Sequence, residues 1–123
     1  MTPKNIFKNS LKGSKLKKVK QMSNPIIDEY GTKFWYNKNG ELHREDGPAI
    51  ELVNGHKVWF QNGERHRDDG PAIEYKDGTK WWYQNGKLHR EDGPACEYVN
   101  GDKEYYLNNV KYTEEEFLAK TKG

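Results

Sequence analysis

From residue 25 to residue 112 the apolar positions come in short alternating or paired runs separated by turn residues. Segments such as Ala72-Ile73-Glu74-Tyr75 and Lys80-Trp81-Trp82-Tyr83-Gln84 are β-branched or aromatic, and Asp77-Gly78 and Asn85-Gly86 bound them. These dipeptides suit the two left-handed positions of a type I′ turn, so the pattern predicts an antiparallel meander. Glu91-Asp92-Gly93-Pro94 cannot continue a central strand, because proline lacks an N–H and restricts the residue before it. It predicts the loop that passes the chain to the next unit.

The units repeat. His43-Arg44-Glu45-Asp46-Gly47-Pro48-Ala49-Ile50-Glu51 returns at His66–Glu74 and again at His89–Glu97, a period of 23 residues both times. Trp59-Phe60-Gln61-Asn62-Gly63 and Trp82-Tyr83-Gln84-Asn85-Gly86 form a second signal, with one extra residue in Trp35-Tyr36-Asn37-Lys38-Asn39-Gly40 and a reduced copy in Tyr105-Tyr106-Leu107-Asn108-Asn109. Pro25 lies 23 residues before Pro48 and marks a first half-unit. Alternation along a strand then predicts two aromatic columns on opposite faces. Trp35, Trp59, Trp82 and Tyr105 form one, Tyr36, Phe60, Tyr83 and Tyr106 the other, with one column in the core and one as a surface stripe.

The C-terminal end has its own signature. Thr113-Glu114-Glu115-Glu116 reads as a capping box, with Tyr112 and Phe117 placed as a hydrophobic staple, and predicts a helix from about Glu114 to Lys120 that closes the sheet edge. The expected fold is therefore mainly β: an elongated, single-layer antiparallel meander of 23-residue units, with a short capping helix and a basic N-terminal arm. The expected divisions are residues 1–24, 25–112 and 113–123.

Composition fits a thin stack. Of 123 residues 33% are hydrophobic and 33% charged, too little apolar material for one large core, yet aromatics reach 13%, unlike a disordered chain. A one-dimensional stack needs only contacts between neighbouring units. No apolar run is long enough to span a membrane, and no apolar region follows the N-terminal lysines as a secretory signal requires. The net charge of +2 conceals a division: residues 1–24 carry seven lysines and no acid, leaving a body of −5.

The pattern Trp-Tyr-x-Asn-Gly-x-x-His-Arg-x-Asp-Gly-Pro-Ala, followed by Tyr112-Thr113-Glu114-Glu115-Glu116-Phe117, resembles the MORN-like repeat proteins frequent in tailed phages and large DNA viruses. The resemblance covers residues 25–118. It implies a stack of antiparallel strands and a phage or viral origin. Related repeat proteins include bacterial antitoxins and interaction or membrane-contact scaffolds. The family offers no common catalytic residue.

His43, His66 and His89 recur once per unit, and equivalent positions two or three strands apart lie roughly 10–14 Å from one another. That is too far for one metal, so no metal or cofactor is expected; packing on the aromatic ladder and hydrogen bonding to a turn explain recurrence better. Arg44, Arg67 and Arg90, each two residues before Asp46, Asp69 and Asp92, are expected to brace the Gly-Pro loop or to offer a row of charged binding groups. Glu51, Glu74 and Glu97 read as a solvated stripe or an acidic docking strip. Cys96 replaces Ile50 and Ile73 and reads as a small core residue. His56 lies off the lattice and is expected to be exposed.

The leading expectation is a non-enzymatic protein-binding module, a phage-encoded factor that inhibits or redirects a host protein in the cytoplasm of the infected cell. Its candidate contact residues are Tyr36, Phe60, Tyr83, Tyr106, Arg44, Arg67 and Arg90. The alternative is nucleic-acid binding through Lys12, Lys15, Lys17, Lys18 and Lys20, which attract phosphate without specifying sequence. An enzymatic reading requires His89, Asp92 and Cys96 to converge in one cleft. The sequence pattern does not set an oligomeric state.

Overall fold

The computed structural model describes residues 24–122. The arm lysines Lys12, Lys15, Lys17, Lys18 and Lys20 lie outside the described residues. In chain order the elements are β1 (Ile26–Ile27), β2 (Lys33–Phe34), β3 (Ile50–Glu51), β4 (Lys57–Val58), β5 (Phe60–Gln61), β6 (Glu64–Arg65) and β7 (Ile73–Glu74). They continue with β8 (Lys80–Trp81), β9 (Tyr83–Gln84), β10 (Lys87–Leu88), β11 (Cys96–Glu97), β12 (Lys103–Leu107), β13 (Val110–Tyr112) and α1 (Glu114–Lys122). Nine of the strands form one antiparallel sheet in the order β1-β2-β3-β4-β7-β8-β11-β12-β13, and β5-β6 and β9-β10 form separate hairpins. The expected meander with a C-terminal helix is what the chain adopts.

The segment Lys80–Gln84, expected as one strand, divides at Trp82. Trp82 donates its N–H to the Ala95 carbonyl of the long sheet, while its own carbonyl accepts the His89 N–H of the hairpin side. Each Trp is thus the hinge between the sheet and a hairpin. The hairpin tips follow the sequence: Asn62-Gly63 and Asn85-Gly86 both take positive φ, as type I′ turns require, and Asn108-Asn109 keeps the same conformation without glycine. Asp77-Gly78 differs from the expected I′ pair. Gly78 alone is left-handed, its N–H bonds the Tyr75 carbonyl, and Asp77 instead accepts the Thr79 N–H at 2.9 Å. That bond, with the Thr79 hydroxyl, holds the Asp77 carboxyl below its usual range.

Register assigns the two faces. One row crosses the sheet as Ile27, Lys33, Glu51, Lys57, Glu74, Lys80, Glu97 and Lys103, a continuous alternation of lysine and glutamate after its first member. The carboxylates of Glu51, Glu74 and Glu97 turn to Arg44, Arg67 and Arg90 at 3.0–3.2 Å, with the lysines as their cross-strand neighbours. The other row runs Ile26, Phe34, Ile50, Val58, Ile73, Trp81, Cys96 and Glu104, and is apolar up to its last member. Ile73 and Cys96 are buried there.

Ile26 and Ile50 both face Phe34, so the first unit spans 24 residues and the later ones 23. The expected match of Pro25 with Pro48 is therefore one residue out, because the first hairpin turn holds an extra residue. A slip of one would exchange the two faces of the strand.

Neither aromatic column is a surface stripe. Trp35 is buried, Trp59 and Trp82 are half-buried, and Tyr83 is 7% exposed within a cluster of Ala72, Ile73, Val58, Trp81 and Leu88. Tyr36, Phe60 and Tyr106 are half-buried. Arg44, Arg67 and Arg90 cover the tryptophans of the first column, while Phe60 and Tyr83 of the second sit in the hairpins, where the Arg65 guanidinium lies 5.2 Å from the Tyr83 ring. A further ladder, absent from the expectation, runs His56, Tyr75, Trp81 and Tyr98, with ring centroids 5.2, 5.8 and 6.5 Å apart at near-perpendicular angles.

At the C-terminal end Thr113 Oγ1 accepts the Glu116 N–H and Glu116 Oε1 accepts the Thr113 N–H, completing the capping box. Phe117, 2% exposed, packs on Tyr105 with ring centroids 4.9 Å apart, while the Tyr112 ring lies under Lys120. The apolar anchor of α1 is therefore Tyr105, in place of the expected Tyr112–Phe117 staple.

Candidate binding surface

Each Gly-Pro loop is held by one arginine. Arg67 donates through Nε to Asp69 at 3.1 Å and through Nη1 to the Pro71 carbonyl at 3.1 Å and Glu74 at 3.0 Å, with its guanidinium 3.8 Å above the Trp59 ring. Arg44 repeats these contacts with Asp46, Pro48, Glu51 and Trp35, and Arg90 with Asp92, Pro94, Glu97 and Trp82. The bracing expected of these arginines is present, and their donors face inward to the protein. Glu51, Glu74 and Glu97 are half-buried partners of that clamp as well as members of the charge row, so they are not a freely solvated stripe.

The histidines join units. Nδ1 of His43, His66 and His89 accepts the backbone N–H of Asn62, Asn85 and Asn108 in the next hairpin. With Nδ1 an acceptor, the proton sits on Nε2, which faces Glu45, Asp68 and Glu91 at 2.7, 2.8 and 3.1 Å. His56, expected to be exposed, is half-buried and does the same for Lys76 between the turns at the other end of the strands. Gln61 and Gln84 donate to the Arg44 and Arg67 carbonyls and fix each loop to the following hairpin.

What points outward is acid. Asp68, Asp69, Glu91 and Asp92 have side chains 76–87% exposed, and Glu45 and Asp46 hold the equivalent places in the first loop. Between successive loops lie two grooves of the same make. One, of about 660 Å³, is floored by Trp59 and flanked by Asp46 and Asp68; the other, of about 810 Å³, is floored by Trp82 and flanked by Asp69 and Glu91.

His89 and Asp92 line the second groove, and Cys96 does not. Burial first, and then the Glu104 charge, push the Cys96 thiol up to about 11, which opposes a nucleophilic role. A third cleft, of about 1070 Å³, adjoins Tyr98, Glu104, Lys111 and the start of α1, but Tyr98 and Lys111 both bond Glu104. Among the described residues no three His, Cys, Asp or Glu side chains gather as a metal site, and no helix is long and apolar enough to cross a membrane.

The lysine row and the arginine clamp were open to sequence reasoning, since Lys57, Lys80 and Lys103 recur at the same period as the glutamates. The outward direction of the acid pairs depends on the arginines turning inward, which residue spacing alone does not set. No protein family, curated protein or solved structure matches the chain.

Proposed function

We propose that the chain is a non-enzymatic protein-binding module whose Gly-Pro loops form its contact edge, and that its partner presents basic residues at the spacing of the repeat. The observation that carries this reading is the identical clamping of three loops, each directing two carboxylates outward beside a groove. Two sheet strands per unit place equivalent carboxylates roughly 10 Å apart. Loops held this firmly lose little freedom on binding, and a row of one charge sign steers and aligns an oppositely charged surface. The body charge of −5 acts in the same direction. Identification of the partner as a host protein met by a phage-encoded factor in the infected cell's cytoplasm rests on the repeat resemblance alone.

Capture from host lysate tests this with the intact chain and with a variant carrying Asp68→Asn, Asp69→Asn, Glu91→Gln and Asp92→Asn. These amides keep an acceptor for His66, Arg67, His89 and Arg90. The expected result is a partner held by the parent chain and lost by the variant, with thermal unfolding preserved. Equal recovery by both overturns the loop edge as the contact.

A second reading, nucleic-acid binding through Lys12, Lys15, Lys17, Lys18 and Lys20, is favoured by the acid-free +7 charge of residues 1–24. It requires affinity that falls steeply with salt and disappears when those lysines become glutamine. Salt-independent binding rules it out.

A further inference from the structure

The two ends of the long sheet are finished differently. After β13 the chain turns into α1, which seats Phe117 on Tyr105. At the other end the sheet stops at β1, and no described strand pairs with its outer side. Natural edge strands are blunted by charge, especially lysine, by proline or by a bulge. Here the strand residues are Ile26 and Ile27, 62% and 57% exposed, with Tyr30 and Val53 exposed on neighbouring turns.

Register makes Ile27 the anomaly. It occupies the place held by Glu51, Glu74 and Glu97 in the other units, and Lys33 has Glu51 on one side but Ile27 on the other. Glutamate there would pair with Lys33 and keep an isolated edge soluble. Two copies of the edge meeting about a two-fold axis would instead bring residue 27 opposite itself, where two glutamates repel and two isoleucines pack. The sequence has the residue that suits the second case.

Backbone direction selects the pairing. The Asp28 N–H donates to the Thr32 carbonyl across the β1–β2 hairpin, so strand alternation turns the N–H and C=O of Ile27 outward. Setting Ile27 against Ile27 of a second copy closes two N–H···O=C bonds. Centring on Ile26 would require a donor from Pro25, which has none.

We propose that β1 is a self-association edge, pairing antiparallel with β1 of a second copy about Ile27 and joining two nine-stranded sheets into one continuous sheet. The contact is short, so association is weak and concentration-dependent.

Sedimentation equilibrium of the full chain over about 10 µM to 1 mM tests this, alongside Ile27→Glu and Ile27→Pro. The first variant restores the column's glutamate, and the second removes the outward N–H without touching the β1–β2 bonds. The expected result is a passage from one to two chain masses in the parent protein, and at least about a tenfold weaker dissociation constant in both variants, with far-ultraviolet circular dichroism unchanged. A single chain mass throughout, or a dimer that both variants retain, overturns the proposal. So does a monomer whose Ile27 amide exchanges slowly, since that edge would be covered by its own chain.

Discussion

The guanidinium of Arg67 lies 3.8 Å over the ring of Trp59 and ties a Gly-Pro loop to the strand that precedes it. The same group bonds Asp69, the Pro71 carbonyl and Glu74, so Arg67→Ala removes a stack and three hydrogen bonds together. It leaves the half-buried Glu74 without its clamp. The expected loss is about 2–4 kcal/mol, read as a lower urea midpoint at unchanged slope. Arg67→Lys keeps the charge but neither the fork nor the planar face, and should recover less than half of that loss. Full recovery by lysine would show that charge alone holds the loop.

Gly70 is required for space. Unlike Gly63 or Gly86 it does not take positive φ, but a Cβ there would meet Cζ of Arg67 at 3.0 Å and Nε at 3.2 Å. Gly47 and Gly93 meet Arg44 and Arg90 in the same way. Gly70→Ala should therefore cost about 1–2 kcal/mol in the parent chain, through displacement of the stacked guanidinium. In an Arg67→Ala background most of that cost should vanish. A double-mutant cycle measures the difference, and strict additivity would separate the glycine from the clamp.

These two residues also mark what a sequence makes visible. The Asn85-Gly86 hairpin and the Thr113–Glu116 cap depend on a few consecutive residues, so they can be read directly. The purpose of Gly70 depends on where a side chain three positions earlier comes to rest, and that rests in turn on Trp59, eight positions before Arg67. The bond from Asn85 N–H to His66 spans 19 residues and two units. Lys57 and Glu74 recur in plain view, but their pairing depends on register, and one extra residue near Asn39 shifts the first unit against the rest. The aromatic columns were legible as columns and the arginines as loop braces; the stacking of Arg67 on Trp59 was not, because it depends on where that side chain comes to rest.

His66 is expected to be held as the Nε2–H tautomer. Its Nδ1 accepts the Asn85 N–H at 2.9 Å, and a doubly protonated ring has no lone pair left to do so. Nitrogen chemical shifts should show an unprotonated Nδ1 in His43, His66 and His89 alike at neutral pH. His66→Ala should cost about 1 kcal/mol and speed exchange of the Asn85 amide. An Nδ1–H signal at these rings would exclude the bond between units, because a backbone N–H cannot accept a proton in return.

Alkaline pH should loosen the C-terminal half of the stack, because its buried acids hold their protons more tightly folded than unfolded. Burial first, and then the Glu104 charge, raise the Cys96 thiol from 9.0 to about 11. Burial and the hydrogen bond to Glu104 raise the Tyr98 phenol, and burial leads the upward shift at Tyr83 and Tyr105. Each group is neutral when protonated, so its contribution is complete below its unfolded pKa and is lost as pH rises toward and through the folded value. For Cys96 that window runs from 9.0 to about 11, with the tyrosines following above 10.0. The melting temperature should fall progressively across this range, and Cys96→Ala should delay the onset of the fall to the tyrosine range. Thiol reagents at about pH 8 should label Cys96 slowly in the folded chain and rapidly in urea. A melting temperature that is level from pH 9 to 11, with fast labelling of the folded chain, would place Cys96 outside the packed row between Trp81 and Glu104.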